Sequence, residues 1–131
     1  MTEPTTAVWT AQELDRIGQA EELQVSPARP DGTLRPYVTI WVVRVGDDIY
    51  VRSAHGRSNG WFRRALAHPQ GHVRAGGVEK DVAFVEPSSD VHPAVDAAYH
   101  AKYDRYGPAI VGTVTGPGTA GTTFRLVPRP A

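Results

Sequence analysis

Eight side chains able to bind or polarise a ligand crowd into residues 35–61 of this chain. Arg35, Tyr37, Thr39 and Trp41 occur at every second position. Side chains alternate along a strand, so these four share one face if the run is extended. That face mixes guanidinium, phenol, hydroxyl and indole, a set that a core seldom tolerates without a partner. Arg52, Ser53, Arg57 and Trp61 follow in the next turn of chain. Flat rings can stack on a planar heterocycle while arginines clamp its phosphate bidentately. The same residue types also anchor subunit interfaces. Both uses coexist if a ligand sits between subunits.

The element that must position them is the run 35–53, RPYVTIWVVRVGDDIYVRS. It is rich in β-branched and aromatic residues and is broken once, by Gly46-Asp47-Asp48, which predicts a β-hairpin. Val38, Ile40 and Val42 fall on the opposite face and read as core. A two-residue turn at Gly46-Asp47 pairs Val42 with Val51 and Trp41 with Arg52. A three-residue turn would slip the register and carry Arg52 to the other face. Downstream, AHGRSNG is a polar loop in which Ser58 or Asn59 can cap a short helix bearing Trp61, Phe62, Ala65 and Leu66, ending before Pro69. Helix starts seat anions, and Arg52, Ser53, Arg57 and Ser58 lie just upstream of this one.

Other constellations carry less. His68 and His72 are four apart, but Pro69 and Gly71 prevent a continuous helix from presenting both, and the chain has no cysteine; no metal site is expected. Ser53 and His55 lack a nucleophile-elbow context, so hydrolase chemistry is not expected. Asp96, His100 and Asp104 stand at helical spacing and read as a solvated face. Val95, Tyr99, Tyr103 and Tyr106 form a stripe on the same predicted helix, read as core or subunit interface. Phenols seldom go inside without a hydrogen-bond partner, which keeps this stripe of interest.

The 131 residues suit one domain, 1–131, with residues 1–8 as a loose arm. Lys+Arg and Asp+Glu number 14 each, so no overall field favours nucleic acid or an anionic membrane. No apolar run approaches a membrane span and the N-terminus lacks a signal pattern, giving the cytoplasm as the expected compartment. Thr10 to Glu13 matches a capping box and opens a helix over about 11–20. A short strand at Leu23 and Val25 turns at Pro30-Asp31-Gly32 into the organising run. Gly76-Gly77 joins strands 72–75 and 78–85, pairing Arg74 with Glu79 and His72 with Asp81. A helix over about 92–106 stops at Gly107-Pro108. Residues 110–114 and 122–128 read as the last two strands, joined by a GPGTAG loop. Six or seven antiparallel strands with two or three inserted helices favour a small, partly open β-barrel, because closure removes edges.

The blocks RPYVTIWVVRVGDDIYVRSAHGRSNGWFRRA, RAGGVEKDVAF and DAAYHAKYDRYGPAIVGTV resemble a widespread bacterial family of small proteins. That family is grouped with the split β-barrel, pyridoxamine phosphate oxidase-like superfamily that binds FMN or deazaflavin, and the resemblance covers about residues 9–128. It implies a mainly β (α+β) fold, a six-stranded antiparallel split barrel with two or three short flanking helices. It also implies a homodimer with FMN or deazaflavin across the interface. By position, the cofactor-binding residues would be Arg35, Tyr37, Thr39, Trp41, Arg52, Ser53, Arg57 and Trp61, with no metal. Relatives often bring a lysine to the phosphate; here no lysine precedes Lys80, so arginines would take that part.

The expectation is therefore a flavin- or deazaflavin-dependent oxidoreductase acting on a small organic molecule. Tyr103 and His55 are the candidate proton donors. If Arg52 holds a phosphate, Arg52→Ala should weaken a phosphorylated cofactor more than its dephosphorylated form. The alternatives are a non-redox small-molecule-binding protein and a cofactor-free biosynthetic enzyme using the same pocket.

Overall fold

Thr10 starts the first helix, α1 (Ala11–Gln19), by the predicted capping box. Its hydroxyl accepts from the Glu13 amide at 3.1 Å, and the Glu13 carboxylate accepts from the Thr10 amide at 2.9 Å. Leu14 and Ile17, three apart, both turn into the core. The computed structural model describes residues 8–54, 56–57 and 59–129. Most of the expected N-terminal arm, the proton-donor candidate His55 and the cap candidate Ser58 lie outside the described residues.

Among the described residues the chain forms seven strands and four α-helices. The strands are β1 (Leu23–Pro27), β2 (Val38–Ile40), β3 (Val43–Val45), β4 (Asp48–Arg52), β5 (Gln70–Ala75), β6 (Val78–Val85) and β7 (Thr123–Pro128). The other helices are α2 (Gly60–Ala67), α3 (His92–Tyr103) and α4 (Pro108–Val111). All pairings are antiparallel, in the order β2-β1-β5-β6-β7-β4-β3.

That order explains why the sheet curls. Its two edge strands, β2 and β3, are separated in sequence only by Trp41 and Val42. Three Cα steps from Ile40 to Val43 span at most about 11 Å. The two edges are thus held together at one end, and the sheet becomes a split barrel rather than an open layer. Inside it, Leu23, Val25, Val51, Phe62, Val82, Phe84, Phe124 and Leu126 form the main core. A second cluster, including Tyr50, Val95, Tyr99, Tyr103 and Val111, packs α3 and α4 on the outside of β3 and β4.

Both predicted hairpin turns are present. Gly46-Asp47 is a two-residue turn with Gly46 at φ 61°, and Val45 pairs with Asp48 and Val43 with Tyr50. Gly76 and Gly77 both have positive φ (58° and 84°), and His72 pairs with Asp81 and Arg74 with Glu79. Only left-handed backbone makes such tight turns twist with the strands, which is why glycine stands there.

Four expectations are corrected. The run 35–45 is not one strand; it breaks after Ile40. Residues 110–114 are not a strand: Pro108 enters α4 at its first turn behind Gly107, whose φ of 98° ends the preceding helix. The β-branched side chains Ile110, Val111 and Val114 imitated a strand, but Val111 and Val114 are buried in the cluster that contains Tyr99 and Tyr103. The face of Val38, Ile40 and Val42 is not uniformly core, since Val38 is 38% exposed at the rim while Val42 is fully buried. Finally, Asp96 does not belong to a solvated row with His100 and Asp104. His100 and Asp104 pair in solvent at 2.8 Å, but Asp96 turns inward to Arg52.

Candidate ligand-binding cleft

Trp41 owes its position to α3. The Val42 amide donates to the Tyr103 hydroxyl at 3.1 Å, and the Val42 carbonyl accepts from the Lys102 ammonium at 2.8 Å. With both polar groups of that residue taken by a helix, the backbone cannot continue the β ladder. Trp41, next to it, stacks flat on the Tyr103 ring with centroids 4.0 Å apart and planes 4° apart. Its indole is half-buried and faces a cleft.

That cleft has a volume of about 380 Å³. Trp41 and Trp61 line it together with Thr39, Arg52, Asn59 and Thr113, and it opens beside the exposed side chains of Val38 and Ile110. Trp61 is supplied by the first turn of α2, whose start places its ring against Phe62 and Phe124. Apolar walls with a few convergent polar groups suit a small ligand, and two indoles suit a flat one.

Arg52 reaches the cleft from the end of β4 but is 2% exposed and thoroughly bonded. Its Nε donates to Thr123 Oγ1 at 2.9 Å, and one terminal nitrogen donates to Asp96 and to the Val114 carbonyl, the latter at 2.8 Å. The other terminal nitrogen lies 3.4 Å from His92 Nδ1. Arginine has no acceptor, so in a hydrogen bond between the two Nδ1 is the acceptor. The guanidinium also lies over the Tyr99 ring, 5.6 Å from its centroid. Tyr99 is fully buried, and its hydroxyl meets no hydrogen-bond partner among the described residues. Burial pushes this phenol well above its ordinary range, with the Arg52 charge opposing.

The eight predicted binding residues fall into three places. Thr39, Trp41, Arg52 and Trp61 meet at the cleft. Ser53 and Arg57 brace the adjoining loop. The Ser53 hydroxyl donates to the Gly56 carbonyl at 2.8 Å, and Arg57 donates to the Gly121 carbonyl and faces Glu86 at 3.6 Å. Arg35 and Tyr37 are not among the lining residues. Tyr37 packs beneath the Arg74 guanidinium, 3.8 Å from ring centroid to Cζ, and edge-on to His72.

Of the two proton-donor candidates only Tyr103 is described, and its hydroxyl is held by backbone atoms of Val42 and Glu21. Sequence reasoning missed Asn59, Thr113 and Ile110 as lining residues. Asn59 was legible only as a helix cap, and the other two lay in the stretch misread as a strand. Among the described residues no group of three metal-ligating side chains comes together, and no helix is long and apolar enough to cross a membrane.

The curled antiparallel sheet, with its split at Trp41 and its aromatic cleft, defines a protein of the split β-barrel class. The chain belongs to a family described as an uncharacterised protein conserved in bacteria (DUF2255), whose pattern matches residues 13–126. No curated protein sequence matches it significantly. Solved structures share the fold. The heme storage protein HutZ from Vibrio cholerae is 17% identical, with a TM-score of 0.62 over 89% of this chain and 87% of that one. An F420 reductase is 17% identical, with a TM-score of 0.54 over 89% and 91%. An FAD-binding protein from Mesorhizobium loti is 16% identical, with a TM-score of 0.54 over 97% and 95%.

The ring system of a flavin-type cofactor fits the cleft, because indole walls and neutral hydrogen-bonding side chains meet there. The fit of a phosphate is poorer, because the arginine at the cleft already faces a carboxylate.

Proposed function

We propose that this chain is a flavin- or deazaflavin-dependent oxidoreductase of the bacterial cytoplasm. It acts on a small organic molecule as a homodimer. The observation that carries this reading is the Trp41–Trp61 cleft at the split of the barrel. The F420 reductase and the FAD-binding protein with the same fold support it by analogy.

A bound flavin or deazaflavin supplies hydride transfer. The chain's own part is to hold and shield it. Trp41, backed by the stacked Tyr103, offers a rigid face for a planar ring, and Trp61 closes another side of the same space. Thr39, Asn59 and Thr113 can hydrogen-bond the polar edge of such a ring. Val38 and Ile110, 38% and 52% exposed at the opening, supply an apolar rim that a second copy of the chain would cover. Covering it would exclude water from the ring and place the cofactor between protomers.

A second reading, a non-redox small-molecule-binding protein, is favoured by one observation. The described proton-donor candidate, Tyr103, has its hydroxyl committed to Val42 and Glu21. The cofactor-free enzyme is disfavoured by the same observation.

Visible absorption and fluorescence of the purified protein, native and after denaturation and with added FMN or deazaflavin, test the proposal. A released or saturably bound chromophore supports the redox reading. A colourless protein indifferent to both leaves the non-redox reading. Sedimentation analysis of the same sample checks the dimer.

A further inference from the structure

The charge at the cleft points to a more specific ligand preference, resting on the flavin-type reading above. We propose that the cleft recognises the neutral ring system alone and that Arg52 does not bind the cofactor phosphate. The dephosphorylated form of the ligand is then bound as well as the phosphorylated one.

Three observations carry this. Arg52 is the only cation among the described residues that line the cleft. Its side chain is fully buried and paired with Asp96, which cancels its charge locally. Four further partners or near partners, Thr123, the Val114 carbonyl, His92 and the Tyr99 ring, surround the guanidinium and fix its plane. A phosphate arriving there would meet the Asp96 carboxylate as well as the arginine. To take Arg52 from its partners it would have to break bonds made inside the fold, where leaving a polar group unpaired is costly. The remaining polar side chains at the cleft are neutral. Thr39 and Asn59 suit the carbonyl and ring-nitrogen edge of a heterocycle, and the Thr113 hydroxyl, whose proton goes to the Ile110 carbonyl at 2.6 Å, can accept from a ring N–H. Arg57, the nearest loop arginine in sequence, is directed to the Gly121 carbonyl and to Glu86.

The test is a paired titration of the full chain with riboflavin and FMN, in wild type and in Asp96→Asn. The asparagine keeps an oxygen to accept from Arg52 but removes the negative charge. An arginine free to bind phosphate would favour FMN by roughly tenfold or more. The expected wild-type ratio of dissociation constants is within about threefold of one, and Asp96→Asn should move it toward FMN. A wild-type preference for FMN of about tenfold, or an unchanged ratio in Asp96→Asn, overturns the inference while leaving the flavin reading intact. Failure of wild type to bind riboflavin, FMN or an added deazaflavin overturns the flavin-type reading itself.

Discussion

The Tyr103 hydroxyl stands at the break in the organising strand and holds Val42 there. It accepts from the Val42 amide at 3.1 Å and shares its own proton between the carbonyls of Glu21, at 2.9 Å, and Val42, at 3.0 Å. One phenol on α3 therefore fixes the point where the two edges of the sheet meet. The Trp41 indole, stacked on the same ring, is fixed with it.

Tyr103→Phe should keep the stacking and remove the clasp. The Val42 amide, on a fully buried residue, would lose its acceptor, at a cost of roughly 1–3 kcal/mol. Urea unfolding of the two proteins measures the difference. A loss under about 0.5 kcal/mol, the range of ordinary surface changes, would mean that the break is held by other contacts.

The hairpins were legible because their cause is local. Gly46-Asp47 and Gly76-Gly77 carry the turn chemistry themselves, and the registers follow from it. The capping box at Thr10 is equally local. The break after Ile40 was not legible, because its cause lies 61 residues away in Tyr103. Ile110 and Val111 misled for the converse reason: their β-branched types suggested a strand, while Pro108 and the packing against α3 made a helix. At the cleft, Thr39, Trp41 and Arg52 could be grouped from strand alternation and the hairpin register, whereas Trp61, on the following helix α2, could be added only by its residue type and the family resemblance. The inward turn of Asp96 could not be foreseen, since its spacing from His100 and Asp104 matched a solvated helix face.

The Arg52–Asp96 pair joins the end of β4 to α3. Removing one partner of a buried pair costs roughly 3–5 kcal/mol. Asp96→Ala should fall near the low end of about 3 kcal/mol, because the Asp96 side chain is 33% exposed. Adding Arg52→Met should restore part of the loss, since the uncompensated charge is then gone. Thermal unfolding of the four proteins closes the cycle. Simple additivity would contradict the pairing.

Lys102 gives a signed pH dependence. Burial, opposed by Glu21, lowers its ammonium pKa from the ordinary 10.5 to about 8. Below about 8 both the folded and unfolded forms are protonated, and the destabilising cost of the buried charge is fully present. Between about 8 and 10.5 the unfolded chain binds more protons, so stability rises with pH. Tyr50, Tyr99 and Tyr103, all raised above the ordinary 10.0 chiefly by burial, act in the opposite sense once unfolded phenols ionise. Urea midpoints should therefore increase from pH 8 and turn down above about 10. Lys102→Met, which keeps the stem but not the charge, should lose most of the increase. An undiminished increase in that variant would place its origin elsewhere.

The most direct test of the central claim is saturable flavin binding to wild type and to Ile110→Glu, followed by quenching of flavin fluorescence. Ile110 is 52% exposed at the opening of the cleft, so a carboxylate there should block the ring without disturbing the core. One ring should bind per wild-type protomer, and binding should be lost in Ile110→Glu at an unchanged unfolding midpoint. Equal binding by both proteins, or none by wild type, would contradict the assignment of this cleft as the flavin site.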